Sequence, residues 1–368
     1  MTTRFLRLSA LFALPALLAV SCGDTAGDDF DRSAMLRSIG ETVILPTYRD
    51  FAAGARALDA ASAAFCASPS AETLDATQQA FWDAKGFLKE AEASAYGPHT
   101  DNPLRLGPRV DFWPARTDSV DALLAAEDAV DAEALASRGA GEVGLPAIGY
   151  LLHDPTGGDE AVLAAFEADA RRCAYLEGLA AYLVESADAY VTAWDPSGGD
   201  HLGELAEGRG LYVDVFRAAS HVFEQVLWTI ENVRELKLGK PFGKRDGGVL
   251  QPGQLEAPYS GRSLQDAIDA LRGAEAVYLG RRGEVQGIGL RDWLLTRRPA
   301  LDAEVQAAFG DAYAALEAVE GPLRQAIESD AAGVEDAYQA VKELQLVLSV
   351  DVAQALAITV TFNPTDGD

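Results

Sequence analysis

The chain has 368 residues, 30 Lys and Arg against 57 Asp and Glu, a formal net charge of −27 and a mean hydropathy of +0.00. So acidic a chain argues against nucleic acid and anionic membrane surfaces as partners. A content of 49 % hydrophobic residues describes an ordinary globular body, long enough for two cores.

Residues 1–21 read as an address. Arg4 and Arg7 form a basic start, and Leu8 to Val20 is a mostly apolar run too short to span a bilayer. Leu18-Ala19-Val20-Ser21-Cys22 resembles a bacterial lipoprotein cleavage box, in which Cys22 is acylated and becomes the new N-terminus. Ala19 stands where a branched residue is usual, with Leu18 one place early, so ordinary secretory cleavage is the alternative. Removal of 1–21 takes two arginines and no acid, which makes the remainder more acidic still. Residues 22–32 are small and polar, as suits a flexible tether.

Beyond the tether, alanine-rich stretches with apolar residues every three or four positions dominate, which predicts an all-α protein. The candidate helices are 33–65, 70–96, 119–136, 158–194, 202–238, 263–279, a short piece near 290–296, 300–327 with a break at Gly321-Pro322, and 333–361. Ser70 with Thr73, Ser119 after Asp118, and Ser263 with Asp266 are expected N-terminal caps. Pro46 predicts a kink or restart inside the first helix. Phe81, Phe87, Tyr175, Phe216, Phe223 and Tyr313 fall at helical spacing and are expected in the core.

Gly and Pro mark the connections, among them 97–114, 154–158, 195–199 and the long irregular stretch 239–261. Cys66 and Cys173 remain as an even pair if Cys22 carries lipid. They predict either one disulfide or two buried thiols.

Chemistry-bearing patterns are few. His99, His153, His201 and His221 are the four histidines, and no two have zinc-helix spacing. His153 reads as a surface histidine at a helix end, with a compensating ligand as the alternative. His221 and Glu224 stand three apart on one helix, with Trp228 and Glu231 continuing the face. They form either a hydrogen-bonded pair or a metal site. No serine or cysteine sits in a nucleophile motif, and no cofactor or catalytic residue is assigned.

The segment Gly144-Leu145-Pro146-Ala147-Ile148-Gly149 resembles the signature helix of the imelysin-like family, whose motif reads G-x-H-x-x-E. Pro146 stands at the histidine place and Gly149 at the glutamate place, so neither offers a donor atom. The loop 108–114, the segments 44–48, 82–98 and 237–241, and the end at 351–368 follow the same family order. The resemblance implies two four-helix bundles packed side by side, 33–196 and 197–368, with the boundary near residues 195–200. It also implies ligand-binding candidates at Glu92, Arg109, Asp111, Trp113 and Asp351.

The function implied is that of a lipid-anchored cell-envelope protein facing the periplasm or the outside. It would be a non-catalytic binding protein linked to iron or haem acquisition, with a membrane transport partner. A metallopeptidase using His221 and Glu224, or an interaction protein with no small ligand, are the alternatives.

Overall fold

The period of three to four becomes α-helix along most of residues 29–360, which the computed structural model describes. The leader, Cys22 and residues 361–368 lie outside the described residues. From Asp31 onward the described chain packs as one unit.

Helix α1 (Arg32–Ile39) runs through a π-turn at Gly40–Ile44 into α2 (Leu45–Ala67). Pro46 is the cause: it lacks an N–H and its ring crowds the carbonyl one turn back, and the wider π-turn gives it room. Helix α3 (Ala71–Glu90) opens on a reciprocal cap. The Ser70 hydroxyl accepts from the Thr73 amide at 3.2 Å, and the Thr73 hydroxyl accepts from the Ser70 amide at 3.1 Å. It continues as a 3-10 turn at Ala91–Ser94.

Short helices α4 (Gly107–Val110), α5 (Thr117–Ala125) and α6 (Ala132–Leu135) follow. The expected single helix over 119–136 is therefore two. Ser119 lies inside α5 rather than capping it, and Asp131 starts α6 by accepting from the Ala134 amide. Helix α7 (Gly144–Leu152) is buried except at Tyr150. Helices α8 (Gly158–Ala168) and α9 (Ala170–Trp194) part at Asp169, whose carboxylate accepts from the Arg171 amide at 2.9 Å. A capping side chain within an apolar run ends one helix and begins another.

The expected helix over 202–238 also divides. Helix α10 (His201–Glu207) ends at Gly208, where φ is +61, and α11 (Val215–Asn232) restarts where Asp214 accepts from the Arg217 amide. A π-turn at Val233–Gly239 extends α11. Helix α12 (Ser263–Leu279) leads to a hairpin, β1 (Arg281–Arg282) with β2 (Val285–Gln286), the only strands among the described residues. Then come α13 (Leu290–Arg297), α14 (Pro299–Ala318), α15 (Leu323–Ser329), α16 (Ala331–Leu346), a π-turn at Val347–Val352 and α17 (Ala353–Leu356). The fold is all-α.

Helix α2 packs on α3 and α9, and α7 closes against α3 and α9. Their core centres on Tyr48, stacked on Tyr190 with ring centroids 4.6 Å apart. A disulfide between Cys66 and Cys173 ties α2 to α9. Helices α11, α12, α14 and α16 pack on one another, and α12 meets α3. That seam is tight: a Cβ at Gly273 would lie 1.9 Å from the carbonyl oxygen of Glu90. Phe81, Tyr175 and Phe223 are buried as expected, whereas Phe87, Phe216 and Tyr313 sit half-buried. No helix of the described residues is long and apolar enough to cross a membrane.

Candidate functional site

The buried stripe of α3 runs Leu74, Thr77, Gln78, Phe81, Ala84, Lys85, Leu88, Lys89, so two lysines occupy core positions. Their ammonium groups need partners, since an isolated buried charge is prohibitively costly. Partners arrive from four directions. Glu92 comes from the 3-10 turn after α3, Asp111 from the end of α4, Glu256 from the irregular stretch before α12, and Asp266 from α12.

Lys89 donates to Glu92 at 2.8 Å and makes ion pairs with Asp111 and Glu256. Lys237, carried in by the π-turn after α11, bridges the same acids, at 2.9 Å from Glu92 and 2.6 Å from Glu256. Lys85 stands 3.3 Å from Asp266, which also pairs with Arg262, and Arg262 reaches Asp269 at 2.6 Å. Gln225 and Thr229 of α11 fix the turn by donating to the carbonyl oxygen of Glu92 at 2.9 and 3.2 Å.

Burial would lower the Lys89 pKa, but Asp111, Glu256 and Glu92 outweigh it and hold the ammonium well above its ordinary range. Burial likewise pushes Glu256 up, and Lys237, Lys89 and Lys85 outweigh it and hold the carboxyl below the usual carboxylate range. Asp266 is raised, chiefly by its burial. The cluster is thus ionic at its Lys89–Glu256–Lys237 centre.

Beside it lies a cavity of about 200 Å³ with Glu92, Asp111, Trp113, His99, Gln225 and Lys237 in its wall. His99 is neutral, with burial pushing its pKa down to about 4, and its Nδ1 lies 2.8 Å from the Tyr190 hydroxyl.

Of the ligand-binding candidates, Glu92, Asp111 and Trp113 come together at this cavity. Arg109 and Asp351 do not. Arg109 faces a separate open groove beside Pro108 and Phe112, and Asp351 lies half-buried in the π-turn at Val347–Val352.

The signature segment leaves no hollow. Gly144, at φ +75, must be glycine because a Cβ would lie 2.5 Å from the Val110 carbonyl oxygen. Pro146 and Gly149 border a cleft of only about 10 Å³ shared with Phe81, Lys85 and Glu256. A Cβ on Gly149 would meet the Phe81 ring at 3.0 Å. At Gly149 the Phe81 ring fills the space that a longer side chain would need.

His221 packs among aromatic rings, edge-on to Tyr96 at 4.9 Å, with Tyr212 and Trp228 beyond. Glu224 is buried, and among the described residues neither belongs to a cluster of three ligand-bearing side chains. The imidazole thus sits in an aromatic pocket, with Glu224 near enough to act on its charge. His153 ends α7 with Nδ1 3.1 Å from the Gly149 carbonyl oxygen. It is stacked on Trp82 rather than standing at the surface.

Ser263 and Asp266 also differ from the expected cap: Ser263 Oγ accepts from the Ala257 amide, and Asp266 turns into the charge cluster. Lys85, Lys89, Lys237 and Glu256 were not among the sequence candidates. The two lysines of α3 could have been found from their register on an apolar stripe; Glu256, in an irregular segment, carries no such signal.

One cluster among the described residues has the donor set of a metal site: oxygens of Glu92, Asp111 and Glu256 lie within 4.8 Å of one another. The Lys89 ammonium contacts all three. It supplies the positive charge that a cation would bring, and an ion could enter only by displacing it. As they stand, these residues do not fit a metal.

The sequence matches the family model described as peptidase M75, imelysin, over residues 44–348. It is 23 % identical over 320 residues to iron-regulated protein A of Synechococcus elongatus, covering 85 % of this chain and 83 % of that protein. The fold is similar to an iron-regulated protein A precursor from Parabacteroides distasonis. There the TM-score is 0.74 and the identity 19 %, with 88 % of this chain and 95 % of that one covered. It is equally similar to an imelysin-like protein from Psychrobacter arcticum, with TM-score 0.74, 19 % identity and coverages of 90 % and 97 %.

Proposed function

The chain belongs to the imelysin family, and on that premise we propose that it is a non-catalytic binding protein of the bacterial cell envelope. It works in an iron-linked setting and takes a small ligand in the cavity beside Glu92. The iron link is supported by relatives named as iron-regulated proteins. Anchoring through a lipid on Cys22 is supported by the basic and apolar leader that precedes it.

The observation that carries the reading is Lys89. Hydrolysis by a metallopeptidase requires a bound ion with an open position and a base to activate water. Here the three carboxylates that come closest to an ion site are joined by an ammonium, and the signature positions Pro146 and Gly149 carry no donor. What remains is a walled cavity with charged, amide and aromatic groups, the usual make-up of a small-ligand pocket.

The test is metal analysis and a peptidase assay on the purified chain, together with a thermal-shift screen of small anions, amines and neutral compounds. The reading expects no stoichiometric metal, no chelator-sensitive cleavage of an unfolded substrate, and at least one small compound that raises Tm. Chelator-sensitive cleavage that disappears in His221→Ala would replace it with the metallopeptidase reading.

A further inference from the structure

We propose that the groove around Arg105, Arg109 and Arg138 is a second binding site, one that takes a small organic anion: a carboxylate or phosphate carried on an apolar body. The groove shares no lining residue with the cavity beside Glu92, so this site goes beyond the binding reading above. Its volume is about 410 Å³, within the range of small-ligand clefts, and its wall holds these three arginines and no acidic residue. In a chain of 57 acidic and 30 basic residues, a wall of that make-up gathers positive potential against the field of the whole molecule.

Two of the guanidinium groups are available. Arginines elsewhere in the fold are engaged: Arg262 with Asp266 and Asp269, Arg282 with Asp50 and Glu90, Arg291 with Asp302. Arg138 is paired as well, 2.7 Å from Asp128, and frames the groove. Arg105 and Arg109 are exposed and make no ion pair among the described residues, so they are left to meet a ligand. Arg105 is also held at φ +40. Of the three described non-glycine residues with positive φ, Asp200 caps α10 and Ala357 ends α17, but Arg105 caps no helix. A side chain kept in a costly conformation where glycine would sit freely points to a use for that side chain.

The chemistry of the wall selects the ligand class. Much of the rest of it is apolar: Leu104 and Phe112 are large side chains left 39 and 38 % exposed, and Tyr182 is buried behind them in the same wall. Guanidinium forks match a carboxylate or the edge of a phosphate, and the apolar surface takes the ligand's body out of water. A cation would meet the three arginines and, beside them, Arg116, which lies 5.9 Å from the centroid of the Phe112 ring. A neutral apolar ligand would draw nothing from the guanidinium charges.

The experiment is isothermal titration calorimetry of the full chain at neutral pH with phenyl phosphate, benzoate, inorganic phosphate, phenol and benzylammonium. Expected is saturable one-site binding of phenyl phosphate or benzoate, whichever oxyanion the groove prefers, weakened by added salt. Inorganic phosphate and phenol should bind about tenfold or more weaker, the first for want of an apolar body and the second for want of charge, and benzylammonium should not bind. Arg105→Gly with Arg109→Gln should weaken the preferred anion by about tenfold or more. Both residues are exposed and the glycine relieves the strained backbone, so Tm should hold in that variant. Asn232→Ala, in the wall of the cavity beside Glu92, should leave the affinity unchanged.

Anion binding that survives the double arginine variant, or that is lost in Asn232→Ala instead, would overturn the assignment. Equal affinity for phenol and phenyl phosphate, or a preference for benzylammonium, would overturn the ligand class. No binding of either organic anion, alongside a compound from the thermal-shift screen whose effect is lost in Asn232→Ala, would remove this site and leave the reading of the cavity beside Glu92 standing.

Discussion

Lys237 Nζ lies 2.9 Å from Glu92 Oε1 although 145 residues separate them in the chain. The contact joins the π-turn after α11 to the 3-10 turn after α3, so two irregularities in helical structure meet at one ion pair. Irregular turns of this kind recur where a side chain must be aimed at a site. Because Lys85, Lys89 and Lys237 are almost fully buried, the pairs act less as a source of stability than as a constraint: removing one member strands the others.

The acid response should come from histidines before carboxylates. Burial pushes His99 and His153 down to about 4, against an ordinary value of about 6.5. A histidine depressed in the folded state protonates first in the unfolded chain. Its contribution is therefore present above pH of about 6.5 and is lost as pH falls toward 4, by at most about 3 kcal/mol each. Glu256 keeps its charge through that window. Denaturant midpoints measured from pH 7 to 4 should fall steadily, and His153→Gln should flatten the slope; a pH-independent midpoint would contradict the packing assigned to these rings.

Restoring the family pattern should not restore a metal site. Gly149→Glu must displace the buried Phe81 ring, which sits 3.0 Å from where its Cβ would be, and overpacking of this kind costs about 1–3 kcal/mol. Pro146→His with Gly149→Glu is expected to lower Tm and to bind no zinc by calorimetry. Adding Phe81→Ala, which opens room beside Lys85, should recover part of the overpacking cost; stoichiometric zinc in the double variant would show that the space is freer than the structure has it.

Loss of the Cys66–Cys173 bridge should be felt throughout the first group of helices. It closes a sequence separation of 107 residues between α2 and α9, and bridges of that span contribute about 2–4 kcal/mol. Replacing both with serine should lower Tm and abolish the effect of reductant on unfolding. A reductant effect that persists in the variant would place the sensitivity elsewhere.

The fold was legible because its determinant is periodic: apolar residues every three or four positions, with Ser70 and Pro46 marking a start and an irregularity where the structure has them. The breaks at Asp169 and Asp214 were missed because a capping carboxylate inside an apolar rhythm looks, in sequence, like one more exposed acid. At the site, Glu92, Asp111 and Trp113 were reached through family resemblance. The cations that answer them were not: Lys85 and Lys89 stand on the apolar stripe of α3, a register visible in the sequence, but Lys237 and Glu256 gain their roles only from a π-turn and a loop that no local rule predicts.

The most direct measurement is the effect of divalent metal on the Tm of the wild-type chain and of Lys89→Met. The substitution keeps most of the side chain's length and removes its charge. Asp111 then loses its ion pair, and Glu92 and Glu256 keep only Lys237 between them, at a cost of about 3–5 kcal/mol. If the lysine stands in for a cation, zinc or manganese should raise the Tm of Lys89→Met and leave the wild-type chain unchanged. A wild-type chain stabilised by stoichiometric metal, with the gain reversed by chelator, would contradict the account.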